Sequence, residues 1–181
     1  MLIRFLVVPL LCLFLLSAST SFAATQVSLT GFLVRTDISI NAAPAKVYDS
    51  LVTQVGFWWN PDHTYSGDGR NLSIDARAGG CFCERLPNGG GVEHMRVVYL
   101  APPQYVRMAG ALGPLQSSGL QGALNWKLTG TEAGTRIELS YSVGGFMVGG
   151  FDKIAPAVEG MLSEQIQRLK LFVETGNPTR K

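Results

Sequence analysis

Residues 154–176 read IAPAVEGMLSEQIQRLKLFVETG, and this stretch decides the fold. Ile154, Ala157, Val158, Met161, Leu162, Ile166, Leu169, Phe172 and Val173 recur at the three- and four-residue spacing of one helical face. Glu159, Glu164, Gln167, Arg168 and Lys170 lie off that face. Asp152 stands where a cap belongs, and Gly176 stands where a helix stops. A long helix with so broad an apolar stripe must lie on an equally apolar surface. The preceding residues 123–143, ALNWKLTGTEAGTRIELSYSV, supply it. Leu124, Trp126 and Leu128 alternate with Asn125 and Lys127, and Ile137, Leu139, Tyr141 and Val143 alternate with Arg136, Glu138, Ser140 and Ser142. Period two with one wet face is the pattern of antiparallel strands, joined here by a turn over 130–134.

Upstream, the same reading gives a strand over Tyr105–Leu112 and a hairpin of Cys81–Leu86 with Val92–Leu100 around the turn Pro87-Asn88-Gly89-Gly90-Gly91. Gly56 to Pro61 is a compact aromatic segment. Phe32–Ile40 is a strand, and Asn41 is expected to cap a helix with Pro44 in its first turn and Val47, Tyr48, Leu51 and Val52 on one side. The order is strand, short helix, several antiparallel strands, long helix. That is an α+β domain over 32–176, preceded by a lead-in at 24–31 and followed by a tail at 177–181.

Residues 1–23 have the three parts of a secretory signal. Arg4 supplies the charge, Phe5 to Leu16 the apolar centre, and Ser21-Phe22-Ala23 the small-x-small end. The cut is expected after Ala23, with Ala24 the alternative. The apolar centre is shorter than the roughly 20 residues that span a bilayer, so no stable membrane insertion is expected after processing. The expected location is periplasmic or secreted. Cleavage removes Arg4, one of 15 Lys and Arg residues, and leaves 14 against 13 Asp and Glu. With no dense basic run, nucleic acid is excluded as a partner class. Of three cysteines, Cys12 lies in the signal. Cys81 and Cys83, two apart in a strand, are expected to be free thiols, because extended backbone holds their Cα atoms near the limit for a bridge.

His63, His94, Cys81, Cys83, Glu84 and Glu93 match no zinc spacing, so no metal and no cofactor are expected. No G-x-S-x-G elbow is present. Glu84 and His94 are the candidate catalytic residues. Setting Arg85 opposite Glu93 pairs opposite charges and brings Glu84 opposite His94 and Cys83 opposite Met95. One face then carries Cys81, Cys83, Met95, Val97 and Tyr99. It is the more apolar face and is expected inward, leaving Glu84 and His94 as a solvated surface pair. If the other face points inward, Glu84 would hold the His94 ring and raise its pKa, giving a proton donor near neutral pH.

The run Ile38 to Tyr48, then Trp58-Trp59 with His63-Thr64-Tyr65-Ser66, Gly79-Gly80-Cys81-Phe82-Cys83-Glu84, Val92 to Val98, Gly113-Pro114-Leu115-Gln116 and the final helix resemble a known family. It is the helix-grip fold of the START and Bet v 1-like (SRPBCC) superfamily, in the polyketide cyclase/dehydrase-like branch related to the activator of the heat-shock-protein-90 ATPase. The resemblance covers residues 32–174. It implies a curved antiparallel sheet wrapped around the long C-terminal helix, with a cavity for an apolar or amphipathic molecule. A chaperone partner fits poorly with export, and no catalytic set for cyclisation matches residue by residue.

The expected function is therefore an exported binding module for a small apolar or amphipathic ligand held between sheet and helix. The alternative is an enzyme of the cyclase/dehydrase-like type using polar pocket residues for acid–base chemistry. A wholly apolar cavity supports carriage, whereas a buried Glu–His pair facing it supports chemistry. The expected ligand-binding residues are Trp58, Trp59, His63, Tyr65, Met108, Leu112, Leu115, Trp126, Tyr141, Phe146, Met147, Val158 and Met161. The cavity is expected over the apolar faces of 123–129 and 135–143, closed by Val158, Met161 and Leu162, with 144–151 as a lid.

Overall fold

The alternation in β7 (Gln121–Thr131) and β8 (Gly134–Gly144) makes an antiparallel pair in register from Thr131↔Gly134 to Gln121↔Gly144. The computed structural model describes residues 23–179. The expected signal segment up to Phe22 lies outside them. On the other side of β8 runs β2 (Gly31–Ile40), paired from Gly31↔Gly144 to Ile40↔Thr135. β6 (Tyr105–Ala109), β5 (Gly91–Ala101), β4 (Cys81–Arg85) and β3 (Leu72–Ile74) extend the sheet beyond β7. The far edge is β1 (Ala23–Ser28), a hairpin partner of β2. The order is β1-β2-β8-β7-β6-β5-β4-β3, and every pairing is antiparallel. The stretch read as a lead-in thus contributes an edge strand, and Thr25 Oγ1 donates to Glu159 Oε2 of the long helix at 2.6 Å.

That helix, α3 (Ile154–Thr175), lies in the grip of the sheet. It buries Ala155, Val158, Leu162, Ile166, Leu169 and Val173 in one apolar core that also holds Val34 and Ile38 of β2, Leu124, Trp126 and Leu128 of β7, and Ile137 and Leu139 of β8. Its end is the one expected: Gly176 takes φ 76°, a left-handed conformation that glycine adopts without a Cβ penalty. Its start is not. Lys153 occupies the cap position, and neither it nor Asp152 caps the helix with a side chain. Likewise α1 (Pro44–Thr53) is preceded by Ala43, while the Asn41 N–H donates to Glu174 Oε1 at 2.8 Å. In both places tertiary packing holds the helix end. α2 (Val55–Trp58) follows α1 and drives Trp58 into the core, where its Nε1 donates to Ser50 O at 3.0 Å and its ring meets Trp126 edge-on at 6.2 Å.

The β4–β5 register departs from the expected one. Arg85 faces Gly91, Glu84 faces Val92, and Cys83 faces Glu93; beyond a bulge, Phe82 faces Met95 and Cys81 faces Arg96. β5 therefore carries one extra residue, and His94 and Met95 are both buried in succession. The charge partner of Glu93 is Arg96, three residues along the same strand, and not Arg85. The inward face holds Phe82, Glu84, His94, Met95 and Val97, and the cysteines face outward, half-buried.

Cys81 and Cys83 are joined by a disulfide, contrary to the free thiols expected. The backbone between them is contracted to a Cα separation of 5.4 Å, against roughly 6.6 Å for two residues of regular strand.

Candidate functional site

A cavity of about 420 Å³ lies between the first turns of α3 and the β4–β5 end of the sheet. Ile154, Ala157, Val158 and Met161 of α3 form one wall, Phe82 and His94 the opposite one. The loop after α2 contributes Trp59, Asp62, His63, Thr64 and Tyr65, and a short helical turn contributes Leu112, Gly113, Pro114 and Leu115. The cavity does not lie under β7 and β8, where it was expected. Leu124, Trp126, Leu128, Leu139 and Tyr141 are all within a few per cent of complete burial beneath α3, so that surface is filled.

Seven of the expected ligand-binding residues line the cavity: Trp59, His63, Tyr65, Leu112, Leu115, Val158 and Met161. Trp58, Met108 and Trp126 are core. Tyr141 acts at one remove. Its hydroxyl accepts from Leu112 N–H at 3.0 Å and donates to Gly110 O at 3.2 Å, which pins the backbone that carries Leu112 into the wall. Burial pushes the Tyr141 phenol up to about 12. Phe146 is 81% exposed and Met147 rests on the core, so neither reaches the cavity. The loop is anchored instead by Phe151, buried against Phe32 at 5.8 Å. Asp62, Thr64, Phe82, Gly113, Pro114 and Ile154 were not foreseen as ligand residues. The position of Phe82, two before Glu84 on one strand face, carries the only signal for it.

The polar feature of the wall is the Glu84–His94 pair. Glu84 is 2% exposed and His94 5%, so the pair is buried and not the solvated surface pair expected. Glu84 Oε2 accepts from His94 Nε2 at 2.9 Å and from Tyr65 N–H at 3.0 Å, and Oε1 accepts from Ser66 N–H at 2.5 Å. Burial pushes the Glu84 carboxyl up, but the hydrogen bonds from Ser66, Tyr65 and His94 together outweigh it and hold the group below the usual carboxylate range. Burial also pushes the His94 imidazole down, against the opposing pull of Glu84. The expected rise in the His94 pKa is thus reversed, because desolvation exceeds the carboxylate's attraction. A carboxylate on Nε2 assigns the proton of the neutral ring to that nitrogen. Nδ1 is left as an acceptor with no partner among the described residues, on a ring that lines the cavity. Phe82, at 5.1 Å, and Tyr65, at 6.0 Å, hold the ring between them.

The second histidine stands on the same cavity. His63 Nε2 lies 3.2 Å from Glu164 Oε2 on α3. Its loop is tied down by Asn60, whose Nδ2 donates to Glu164 Oε1 at 2.6 Å and whose N–H donates to Gln165 Oε1 at 2.8 Å. Trp59 Nε1 donates to His63 O at 3.1 Å, which sets the indole against Phe82. Among the described residues no group of three or more His, Cys, Asp and Glu side chains is placed to share a metal ion, and no helix is long and apolar enough to cross a membrane.

No family model matches the sequence, and no curated protein matches it. Solved structures do match. The conserved protein of unknown function EF2215 from Enterococcus faecalis is similar with a TM-score of 0.62 and 17% identity, over 88% of this chain and 80% of that one. Aha1 from Colwellia psychrerythraea, solved as a dimer, gives 0.59 and 23% identity over 80% and 97%. CalU16 from Micromonospora echinospora gives 0.54 and 12% over 87% and 88%. These likenesses concern the fold alone, a curved antiparallel sheet gripping a long C-terminal helix.

Proposed function

We propose that this chain is an exported binding module for a small apolar or amphipathic molecule, held in the cavity between the β4–β5 end of the sheet and the start of α3. The observation that carries this reading is an apolar wall of Trp59, Phe82, Leu115, Val158 and Met161 interrupted by one buried imidazole. Apolar surface of the ligand removed from water there contributes roughly 25 cal/mol per Å², and Met161 can adapt to its shape. A ligand hydroxyl or amide N–H can donate to His94 Nδ1. The test has two parts. Protein recovered from the exporting compartment should begin at Ala24 or Thr25 and release a small molecule detectable by mass spectrometry of an organic extract. It should also bind 1-anilinonaphthalene-8-sulfonate saturably. A recovered form that keeps Phe5 to Leu16 refutes export, and absence of both a released molecule and saturable binding refutes the binding role.

A second reading, an enzyme of the cyclase/dehydrase-like type, is favoured by one observation: a Glu–His pair is buried at the cavity wall. His94 Nδ1 would take a proton from the bound molecule, and Glu84 would stabilise the resulting imidazolium. His94→Gln keeps a side-chain donor for Glu84 and removes the basic nitrogen. On the enzyme reading it abolishes turnover of the recovered molecule and leaves its binding intact. Undiminished turnover excludes His94 as the base.

A further inference from the structure

The Cys81–Cys83 disulfide closes a loop with one residue inside it, Phe82. Loop closure this short removes little freedom from the unfolded chain, so the bridge is a poor staple for the domain as a whole. Its effect is local, and its place is the β4–β5 bulge. At the bulge β5 is one residue longer than β4, a mismatch of about 3.3 Å. The contraction of β4 to 5.4 Å between the two cysteines adds roughly 1 Å to that mismatch by shortening the opposite strand, and so favours the bulge in β5. A pinched β4 and a bulged β5 therefore form one device. The device turns His94 and Met95 inward in succession, and it sets Glu84 within 2.9 Å of the His94 ring. The residue enclosed by the bridge, Phe82, is itself a cavity wall and a neighbour of both Trp59 and His94.

We propose that the disulfide is a redox latch on the cavity. Closed, it holds the bulge and keeps His94 on Glu84. Opened, it lets β4 extend and regularise against β5, which draws His94 off Glu84 and moves Phe82 in the wall. Opening needs a dithiol reductant. The S–S bond accepts two electrons and two protons to become two thiols, and the reductant's dithiol becomes a disulfide. Both sulfurs lie on the outer sheet face and are half-buried, away from the cavity that they control. The Gln116 side chain, which donates to the carbonyls of Glu93 at 2.7 Å and His94 at 3.3 Å, braces the bulge from the other flank. It gives the released segment a fixed end about which to move. Only the consequence for ligand affinity rests on the cavity being the binding site.

The chain carries its own control, because His63 lines the same cavity on a different loop. The experiment records the ring NMR signals of both histidines in the protein prepared without reductant, after dithiothreitol, and in the Cys81→Ser/Cys83→Ser variant. Thiol titration verifies each state. The expected result is a shift of the His94 signals on reduction, matched by the variant without reductant, and larger than any shift of the His63 signals, which Phe82 can reach only through Trp59. The affinity for 1-anilinonaphthalene-8-sulfonate should change about fivefold or more between the two states. Unmoved His94 signals in protein verified to hold two thiols overturn the latch, as do two free thiols in the protein before any reductant is added. The reductant arm stands by itself if the double variant does not fold. Should His94 move while the probe binds neither state and no small molecule is released from the protein, the latch stands and the binding reading falls.

Discussion

Both histidines of the chain stand on one cavity, each with Nε2 on a glutamate, yet the two pairs are built differently. His63 and Glu164 are about two-fifths exposed at the side chain, and water can replace either partner. His94 and Glu84 are nearly sealed at 6% and 0%, and Glu84 also takes the backbone N–H groups of Tyr65 and Ser66. The first pair joins a loop to a helix. The second is the point from which that loop, the bulge and one wall of the cavity are all fixed. The same two residue types thus act as a surface tie in one place and a structural hub in the other, and the burial of the Glu84–His94 pair, with the further donors that Glu84 serves, makes the difference.

Removing the two carboxylates should widen that contrast most. Glu84→Ala leaves a buried imidazole and two backbone N–H groups without their acceptor and should cost about 3 kcal/mol in urea unfolding. Glu164→Ala should cost under about 1 kcal/mol. Equal costs would mean that burial does not distinguish the pairs. Acid is the next lever. Glu84 and His94 both have folded-state pKa values below their ordinary ones, so the unfolded chain takes up protons first at each. Their stabilisation is complete above the ordinary imidazole value of about 6.5. It should fall as the pH drops, through the His94 contribution first and then, below the usual glutamate range, through Glu84. Chemical unfolding across this range should show the early loss vanish in His94→Gln, and its persistence would place the titrating group elsewhere. At the cavity mouth, Ala157→Phe on the exposed side of α3 should weaken binding of 1-anilinonaphthalene-8-sulfonate about tenfold or more, with stability changed by no more than about 0.5 kcal/mol. Unchanged affinity would put the probe in another hollow. The smallest effect belongs to His63→Gln, expected within about 0.5 kcal/mol of the unmodified protein. A larger loss would promote the surface tie to a second hub.

The sequence made most of the fold legible because its cues are local and periodic. The stripe of α3, the alternation of β7 and β8 and the glycine at 176 each report a nearby backbone state. Much of the site is not of that kind. The Glu84–His94 pair was reached by matching charges across a hairpin, and the contact is present, but in another register. Arg96 satisfies Glu93 along its own strand, and the bulge lets His94 lean over Glu84 without facing it. No periodic pattern announces a residue that breaks the period. The cavity was misplaced under β7 and β8 because alternation shows which residues point inward but not whether α3 fills the space they enclose. The partner of His63 was invisible for another reason: Glu164 lies 101 residues away.

Strand β2 ends at Ile40, yet its ladder partner β8 begins at Gly134, and α3 comes later still. As the chain grows, β2 can form only its short hairpin with β1, and Phe32, Val34 and Ile38 have nothing to cover them. Sheets closed by such distant pairings assemble slowly, since the loop must close before any contact rewards it. For an exported chain, as proposed, that slowness is useful. Until β8 has been made, from Gly134 onward, the central ladder lacks one side, which would keep an exported chain open enough to thread a membrane channel. The interval has a hazard, because the same uncovered strand is open to pairing with a neighbour's. If the chain is exported as proposed, the topology sets a clock: passage should begin before residues 134–173 arrive, and α3 is the element that locks the domain shut.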